Sequence, residues 1–342
     1  MPSLSRSLAS PIPILEKNAV KYRTLGRTGF KVSEIAPGLW GMSGWSGSND
    51  QQSLAALQLA VDRGCNFFDT AWAYGEGKSD MLLGEIIMRN KGKRLYAASK
   101  IPPKNNQWPA LPSYKYQEVF PTDHVFAYAR KIREKLRTDT IDVLQFHVWD
   151  DSWAADPEFR ECVQNLKRQG LIRYFGLSLN RWEPNNGLAA IRTGLVDVVQ
   201  VIYNIFDQSP EDELFPLCKK MNIGVIARVP FDEGSLGGKM TRETTFPPDD
   251  WRAQYFGPEN LPPTMDRVDA LRKDLGDDVS LPETALRFIL SNPVVSTTIP
   301  GMRKPEHVEQ NAASSDAGPL DSAMIEKLKP HRWDRKPAAW SD

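Results

Sequence analysis

The strongest constraint on this chain is a regular alternation of short apolar runs with longer amphipathic segments, which begins near Glu34. The apolar runs are, in order, EIAPGLWG, NFFDT, RLYAASK, IDVLQFH, IRYFGLS, VDVVQVIY, IGVIARV and VVSTTIP. Continuous apolar runs are typical of strands that are buried on both faces, and strand–helix alternation indicates a parallel sheet. Because there are eight units, we predict a single-domain (β/α)8 TIM barrel of the α/β class.

The amphipathic segments between these runs predict the helices of the barrel. We expect helices over 51–63 with Asp50 as the cap, 79–88, 124–136 with Thr122 or Asp123 as the cap, 158–168 ended by Gly170, a short one that contains Leu188, Ala189 and Ile191, then 211–221, 283–290 and 306–312. The structural alternative is a doubly wound open sheet, which would place a Gly-rich turn after its first strand. The sequence contains no G-x-G-x-x-G motif, and this favours the barrel.

Composition excludes some classes of partner. The chain has 342 residues, of which 41% are apolar and 25% charged, and this suits one large globular domain. The 43 Lys and Arg residues equal the 43 Asp and Glu residues, so there is no positive excess to hold nucleic acid. No run approaches the roughly 20 apolar residues of a membrane span, so we expect no membrane partner.

We predict two segments, a flexible N-terminal tail over 1–20 and the barrel with a C-terminal closing segment over 21–342. The tail is Ser-rich and its apolar residues are interrupted, which is typical of loosely packed termini. The three cysteines, Cys65, Cys162 and Cys218, are odd in number and widely spaced. This spacing argues against a disulfide framework or a zinc site and favours a reducing compartment, so we expect a cytoplasmic protein.

Polar residues fall where the active site of a (β/α)8 barrel forms, at the C-terminal strand ends. Asp69 ends the second predicted strand, and Tyr74 follows it by five residues. Lys100 ends the third predicted strand and His147 the fourth. Because neighbouring strands lie ~4.8 Å apart, side chains at the same height on three consecutive strands fall within roughly 10 Å of each other.

This cluster suits proton transfer to a carbonyl oxygen. A phenol ordinarily titrates near ~10, and we expect the ammonium of Lys100 to lower the pKa of Tyr74 and make it a better general acid. Asp69 would hold Lys100 in place, and His147 would donate a hydrogen bond to the substrate oxygen. Singly, these residues have ordinary interpretations as a turn residue, a packing aromatic, a surface cation and a core histidine. Their joint placement favours the functional one.

Several ordered segments resemble the aldo-keto reductase family, including its channel beta-subunit-like branch. They are YRTLGRTGFKVSEIAPGLWG, DTAWAYGEGKSDMLLGE, ASK, DTIDVLQFH, GLSLN, VDVVQVIYN and IPGMRKPEHVEQN, and together they span about 22–311. The resemblance implies hydride transfer from nicotinamide C4 of NADP(H) to an aldehyde or ketone. It assigns the catalytic set to Asp69, Tyr74, Lys100 and His147, with Tyr74 as the proton donor. Asp80 stands where many members have Glu, and we interpret it as a helix-side contact.

The resemblance also implies an extended cofactor site on the C-terminal face. Asp69, Gly41 and Met42 would border the nicotinamide, Ser178, Asn180 and Gln200 would hold its carboxamide, and Tyr203 would stack on its ring unless it is a core aromatic. Arg228, Pro230, Gly234, Leu236 and Lys239 would lie along the pyrophosphate, and Gly301, Arg303, His307, Gln310 and Asn311 at the adenosine. The fork of Arg303 suits a 2′-phosphate, which favours NADPH over NADH, although a surface cation is the alternative.

The substrate pocket is expected between two long connections, 102–121 and 230–263, which follow strands and so lie on the same face. Trp45, Trp72, Trp108 and Trp149 would line it, unless they are core residues, and would favour an aromatic, alicyclic or sugar-like small molecule.

Two other functions compete with carbonyl reduction. The first is a cofactor-sensing subunit with slow or no turnover. The second, a metal-dependent hydrolase, is disfavoured because it needs several ligands at the strand ends and only Asp69 and His147 are available. We therefore expect no metal.

Overall fold

The computed structural model describes residues 20–44, 47–276, 278–338 and 340–341. The predicted N-terminal tail therefore lies outside the described residues except for its last position, Val20. Val20 is buried, and its backbone N–H donates to the carbonyl of Arg63, so the packed structure already includes this residue. Trp45 also lies outside the described residues.

From the second predicted strand onwards, helices follow the strands as predicted, but among the described residues three helices precede the last strand where one was expected. The strands are β1 (Tyr22–Thr24), β2 (Lys31–Ser33), β3 (Phe67–Asp69), β4 (Tyr96–Ile101), β5 (Ile141–Phe146), β6 (Ile172–Ser178), β7 (Val198–Ile202), β8 (Gly224–Arg228) and β9 (Thr297–Thr298). The helices are α1 (Asp50–Asp62), α2 (Lys78–Arg89), α3 (Tyr116–Val119), α4 (Thr122–Leu136), α5 (Pro157–Arg168), α6 (Leu188–Arg192), α7 (Leu214–Met221), α8 (Arg252–Tyr255), α9 (Leu261–Leu275), α10 (Leu281–Ser291), α11 (Pro305–Ala317) and α12 (Ser322–Leu328). Within the described ranges, no helix combines the length and apolar character needed to cross a membrane.

The sheet closes on itself through the segment that precedes α1. Strands β3 to β9 are parallel and follow one another in chain order. Ile35 forms a bridge with Thr298 of β9, and Gly38 forms bridges with both Asp69 of β3 and Gly301. The predicted (β/α)8 barrel is therefore confirmed.

The prediction of a regular first strand over EIAPGLWG was wrong. Pro37 has no N–H to donate to a ladder, so this segment pairs through isolated bridges instead of a continuous strand. The pairing that remains is sufficient to join the edges. The N–H of Asp69 donates to the carbonyl of Pro37 at 3.0 Å, and the N–H of Leu39 donates to the carbonyl of Asp69 at 2.9 Å.

Some helix ends differ from the predictions. Asn49, not Asp50, caps α1, because its side chain accepts the N–H of Gln52. Neither Thr122 nor Asp123 caps α4, which begins directly after Pro121 without a side-chain cap. The helix predicted over 211–221 divides into a 3-10 turn, Ser209–Glu211, and α7, since the backbone at Glu213 has a non-helical φ of −129°.

The barrel interior is filled by an apolar layer at its N-terminal end. The β1–β2 hairpin packs across the N-terminal end, where Leu25 and Val32 join one residue from each of several strands. The strand residues of this layer are Phe67, Ala98, Val143, Val198 and Ile226.

The next layer towards the C-terminal ends of the strands is polar. Because side chains alternate along a strand, the residues two positions further on face the same way. They are Asp69, Lys100, Gln145, Gln200 and Arg228. This change from apolar to polar within the barrel positions the site described below.

The contact of α2 with α4 depends on Gly84. A Cβ atom on Gly84 would overlap the carbonyl oxygen of Lys135 and lie 3.0 Å from the carbonyl carbon of Leu136. We expect Gly84→Ala to lower the free energy of unfolding by about 1–3 kcal/mol, measured by urea titration, because the two helices must separate. Gly92→Ala is the control, since a Cβ on Gly92 has no neighbour within 4 Å, and its change should stay within about 0.5 kcal/mol. Equal losses in both variants would contradict this explanation.

Candidate active site

Asp69 is the centre of the polar layer. Its Oδ1 accepts from Nζ of Lys100 at 2.5 Å, and both side chains are buried. Its Oδ2 accepts from Nε2 of Gln200 at 2.7 Å and from Nε2 of Gln145 at 3.5 Å. Asp69 is therefore hydrogen-bonded from three other strands, which fixes the height and orientation of Lys100.

Lys100 reaches from Asp69 towards Tyr74. Its Nζ also donates to the carbonyl of Thr70 at 2.8 Å and lies 5.1 Å from the centroid of the Tyr74 ring. Burial raises the pKa of Tyr74 above its ordinary value of 10.0, and Lys100 lowers it without cancelling that effect. The expectation of a lowered pKa was therefore wrong in its net direction. Tyr74 keeps its proton at neutral pH, as a proton donor must.

His147 faces Tyr74 from the end of β5. The ring centroids of Tyr74 and His147 are 5.7 Å apart, and that of Trp108 lies 4.7 Å from His147 in an edge-on arrangement. Burial holds the pKa of His147 well below 6.5, with further lowering by Lys100 and Arg228. The imidazole is therefore neutral at physiological pH. Its Nδ1 is buried and has no hydrogen-bond partner in the part of the chain that the structure describes.

Arg228 lies closer to this cluster than the predicted role along the pyrophosphate implied. It acts electrostatically on both Tyr74 and His147, and one of its Nη atoms donates to the carbonyl of Leu179 at 3.0 Å. Burial, together with the nearby charge of Arg181, lowers the pKa of Arg228 to about 10. Its Nε is buried without a partner among the residues of the described ranges.

Two residues predicted for the nicotinamide lie elsewhere or are otherwise engaged. Tyr203 packs outside the barrel between Phe215 of α7 and Phe288 of α10, and its hydroxyl donates to Glu211. It is a core aromatic, which was the alternative interpretation. The Asn180 amide donates to the carbonyl of Ala110 at 3.0 Å and to Glu183 at 2.9 Å, so it ties loops together. Ser178 is buried at the end of β6, in register with Gln200.

Of the predicted pocket tryptophans, Trp108 faces the site. Its side chain is 42% exposed while its edge contacts His147. Trp149 is fully buried in the core against Trp153 and Phe159, with ring centroids at 5.5 and 4.8 Å. Trp72 turns towards α4, where its ring contacts Tyr128 edge-on at 5.4 Å. The predictions for Trp72 and Trp149 were therefore wrong. Both rings follow strand ends, but their backbones direct them into the helical layer.

A cluster of cations forms at the predicted adenosine end. Burial lowers the pKa of His307, and Lys304, Lys239 and Arg303 lie close enough to lower it further. A Cβ on Gly41 would lie 3.5 Å from Cδ of Arg303, so the first loop borders this cluster. The structure thus brings together cations from the loop after β8 and from the start of α11.

The other predicted residues on this path are placed as follows. Met42, Pro230, Leu236 and Asn311 are buried, Gly301 and Gln310 are exposed, and Gly234 has a φ of 119° that favours glycine. The amide nitrogen of Asn311 is buried and unpartnered within the described residues.

The loops around the site are joined by buried or largely buried ion pairs that no sequence pattern predicted. Arg181, after β6, pairs with Glu233, after β8, at 2.9 Å. Arg335 of the C-terminal segment pairs with Asp207 and, at 2.6 Å, with Asp232. No local pattern marks these pairs, since each joins segments far apart in the chain. Gln145 was also missed, although its inward register two residues after Val143 would have indicated it.

The sequence profile described as the Aldo/keto reductase family matches residues 34–332. The chain belongs to the aldo/keto reductase family. In the described ranges, no group of three or more His, Cys, Asp or Glu side chains is arranged to hold a metal ion.

Its relatives in this family include several curated proteins. The chain is 29% identical over 312 residues to the aldo-keto reductase YhdN of Bacillus subtilis. This alignment covers 85% of this chain and 87% of the relative. It is 25% identical over 313 residues to the NADH-specific methylglyoxal reductase of Escherichia coli, covering 86% and 93%. It is 28% identical over 326 residues to a probable voltage-gated potassium channel subunit beta of Arabidopsis thaliana, covering 90% and 94%.

Solved structures of aldo-keto reductases share the fold. The holo form of an aldo-keto reductase from Bacillus halodurans superposes with a TM-score of 0.73 at 22% identity, covering 94% of this chain and 100% of that one. A Klebsiella pneumoniae aldo-keto reductase in complex with NADPH has a TM-score of 0.64 at 23% identity, covering 91% and 94%.

Behind the polar layer of this aldo/keto reductase lies a second buried carboxyl, Asp80, in the first turn of α2. Its Oδ1 accepts from the hydroxyl of Ser99 at 2.7 Å. Burial raises the pKa of Asp80 from 3.8 to about 7, and the hydroxyl of Ser99 and the charge of Lys100 oppose this rise. The folded protein therefore holds a proton here that the unfolded chain releases at lower pH.

This proton makes the stability of the protein depend on pH. Wild type should lose unfolding free energy relative to Asp80→Asn as the pH rises from about 4 to about 7, by at most roughly 1.4 kcal/mol per pH unit, because Asn cannot ionise. Above about pH 7 Asp80 is ionised in both states, and the difference should be constant. Urea unfolding at pH 5, 6, 7 and 8.5 checks this. A constant difference over that whole range would show that Asp80 titrates as an ordinary carboxyl.

Proposed function

We propose that this protein reduces an aldehyde or ketone to the alcohol, reversibly, with NADPH as the hydride donor and Tyr74 as the proton donor. The observation that carries the proposal is the buried pair of Asp69 and Lys100, with Lys100 5.1 Å from the Tyr74 ring and the neutral His147 facing that ring. Reduction of a carbonyl needs one hydride at carbon and one proton at oxygen. The cluster provides the proton.

Each side chain has a distinct part in moving that proton. Tyr74 releases its phenolic proton to the substrate oxygen, and the charge of Lys100 stabilises the phenolate left behind. Asp69 keeps Lys100 oriented and offsets its charge. His147, being neutral, donates one N–H bond to the same oxygen without competing for the proton. When bound, the cofactor supplies the hydride from nicotinamide C4.

The residues along the predicted cofactor path fit NADP(H). On this path, the buried donors Nε of Arg228, near Tyr74, and Nδ2 of Asn311, on α11, lack partners among the described residues. Buried polar groups are normally hydrogen-bonded, so these donors indicate a polar ligand. Lys239 and Arg303 meet near His307, and a 2′-phosphate is the group that two such cations favour. The Klebsiella neighbour was solved with NADPH, whereas the Escherichia coli relative is named for NADH.

The substrate would enter beside Trp108. This ring is half exposed and contacts His147, and the partly exposed Trp40 contacts Trp251 edge-on at 6.0 Å. Flat apolar surfaces of this kind favour an aromatic, alicyclic or sugar-like carbonyl compound.

We also propose a cytoplasmic location, because Cys65, Cys162 and Cys218 are free thiols and all buried.

Tyr74→Phe tests the proton donor. We expect kcat for NADPH oxidation with a panel of aldehydes, ketones and quinones to fall by about 10²–10⁴-fold, because phenylalanine has no proton to give. NADPH binding, measured by quenching of protein fluorescence, should be preserved.

The control for Tyr74→Phe is Tyr128→Phe, since Tyr128 lies on α4 and packs against Trp72 outside the barrel. Equal rates in wild type and Tyr74→Phe would overturn the assignment. If NADPH binds tightly but wild type reduces no carbonyl compound, the alternative of a cofactor-sensing subunit is favoured. One relative is named as a probable voltage-gated potassium channel subunit beta.

Arg303→Ala tests the cofactor preference. Loss of the guanidinium should weaken binding of NADPH by about tenfold or more and leave binding of NADH nearly unchanged, because only NADPH carries the 2′-phosphate. Fluorescence titration with both cofactors measures the two dissociation constants. Arg242→Ala is the matched control, since Arg242 is exposed and paired with Asp266 and Asp269. Equal weakening of both cofactors by Arg303→Ala would contradict a 2′-phosphate contact.

A further inference from the structure

A layer of hydroxyl and carboxyl groups separates the proton-transfer site from α2. Asp69 and Lys100 point into the barrel, so their chain neighbours Thr70 and Ser99 point outwards, because side chains alternate along strands. Both meet the first turn of α2. Thr70 shares a hydrogen bond of 2.6 Å with the hydroxyl of Ser79, and Ser99 donates to Asp80.

The same helical turn is joined to the loop that carries Tyr74. The N–H of Ser79 donates to the carbonyl of Tyr74 at 3.3 Å. The loop reverses at Gly75 and Gly77, which have φ values of 69° and 82° that favour glycine. The first turn of α2 therefore contacts the segments that carry Asp69, Tyr74 and Lys100. A change in this turn reaches all three.

Of the two ionisable residues in this turn, Lys78 is partly exposed and pairs with Asp50, whereas Asp80 is buried. Its side chain is buried, and its Oδ2 has no hydrogen-bond partner in the described part of the chain. The charged groups that act on it there are Lys100 of β4 and Asp69 of β3, and the hydroxyls of Ser99 and Thr70 face it as well. A carboxyl buried with one oxygen unsatisfied is costly, so a packing role alone does not account for it.

We propose that Asp80 is a positioning residue of the proton-transfer site, which acts through Ser99 and Lys100 to control how readily Tyr74 releases its proton. This inference rests on the proposed function, because it concerns the proton that Tyr74 gives to the substrate oxygen. Asp80 touches neither substrate nor cofactor. Its influence comes from its charge, placed on the outer side of the strand that bears Lys100.

The direction of the effect follows from electrostatics. Because the pKa of Asp80 is about 7, its carboxyl is neutral below that pH and negative above it. A negative charge near Lys100 offsets the attraction of Lys100 for the Tyr74 phenolate, which raises the pKa of Tyr74 and weakens it as an acid. The O–H bond of Tyr74 then breaks less readily, and reduction slows as the pH rises through about 7.

The first experiment compares pH profiles of reduction. In wild type, kcat should fall about three- to tenfold between pH 6 and pH 8.5, as expected from a shift of half a unit to one unit in the pKa of Tyr74. Asp80→Asn resembles the protonated carboxyl and should keep the low-pH rate throughout, with KM and NADPH affinity unchanged. Asp80→Glu should restore the fall in kcat near pH 7, which is the break in the pH profile. Ser99→Ala should move the break to higher pH, because ionised Asp80 loses a donor.

Asp142→Asn is the matched control. Asp142 is also a buried carboxyl on a neighbouring strand, but it lies at the N-terminal end of β5, where Arg94 and the N–H of Ala97 hold it. This variant should keep the wild-type break. An unchanged break in Asp80→Asn, or loss of the break in Asp142→Asn, would overturn the proposal. If Asp80→Asn does not fold, Ser99→Ala decides, and an unmoved break there overturns it.

The second experiment does not depend on turnover. Protein labelled with ¹³Cζ-tyrosine is titrated from pH 5.5 to 8.5 without cofactor, and Tyr74→Phe identifies the Tyr74 resonance. We expect this resonance to shift in wild type and in Asp142→Asn with a midpoint near 7, and to stay constant in Asp80→Asn. A constant resonance in wild type would refute the link between Asp80 and Tyr74. A shift in a protein that reduces no carbonyl would support the link and refute the proposed function instead.

Discussion

The buried ion pair of Asp69 and Lys100 stands where the barrel interior changes from apolar to polar. Moving both ions out of water costs several kcal/mol each, so such a pair persists only when its remaining donors and acceptors are also paired. Lys100 donates to the carbonyl of Thr70, and Asp69 accepts from Gln200 and Gln145. The pair is thus held by several strands at once, which fixes Lys100 beside Tyr74 and leaves little freedom for either.

The walls of the site depend on contacts of longer range. The backbone after β8 has positive φ values at Val229, Asp232 and Glu233, which L side chains rarely adopt. Arg335 and Arg181 hold this strained segment through ion pairs with Asp232 and Glu233. The C-terminal segment that carries Arg335 therefore supports the loop that we expect to border the cofactor.

The two-residue alternation of side chains along strands accounts for most of the site that could be predicted from the sequence. Lys100 follows the interior residue Ala98 by two positions, just as Gln200 follows Val198, so the height of the polar layer is readable from the chain. The same period would have identified Gln145. Predictions failed beyond the strands, at Tyr203 and Trp149. Once a strand has ended, no short sequence pattern indicates which way a side chain points.

The sequence by itself determined the barrel and the layer in which Asp69 and Lys100 meet, because both follow from local periods that each strand carries alone. Only the tertiary structure decided which aromatic rings reach the site and which enter the helical layer. It also decided the net direction of the pKa of Tyr74, where burial outweighs Lys100. Burial depends on segments brought together from the whole chain, so it has no local signature that a sequence pattern can reveal.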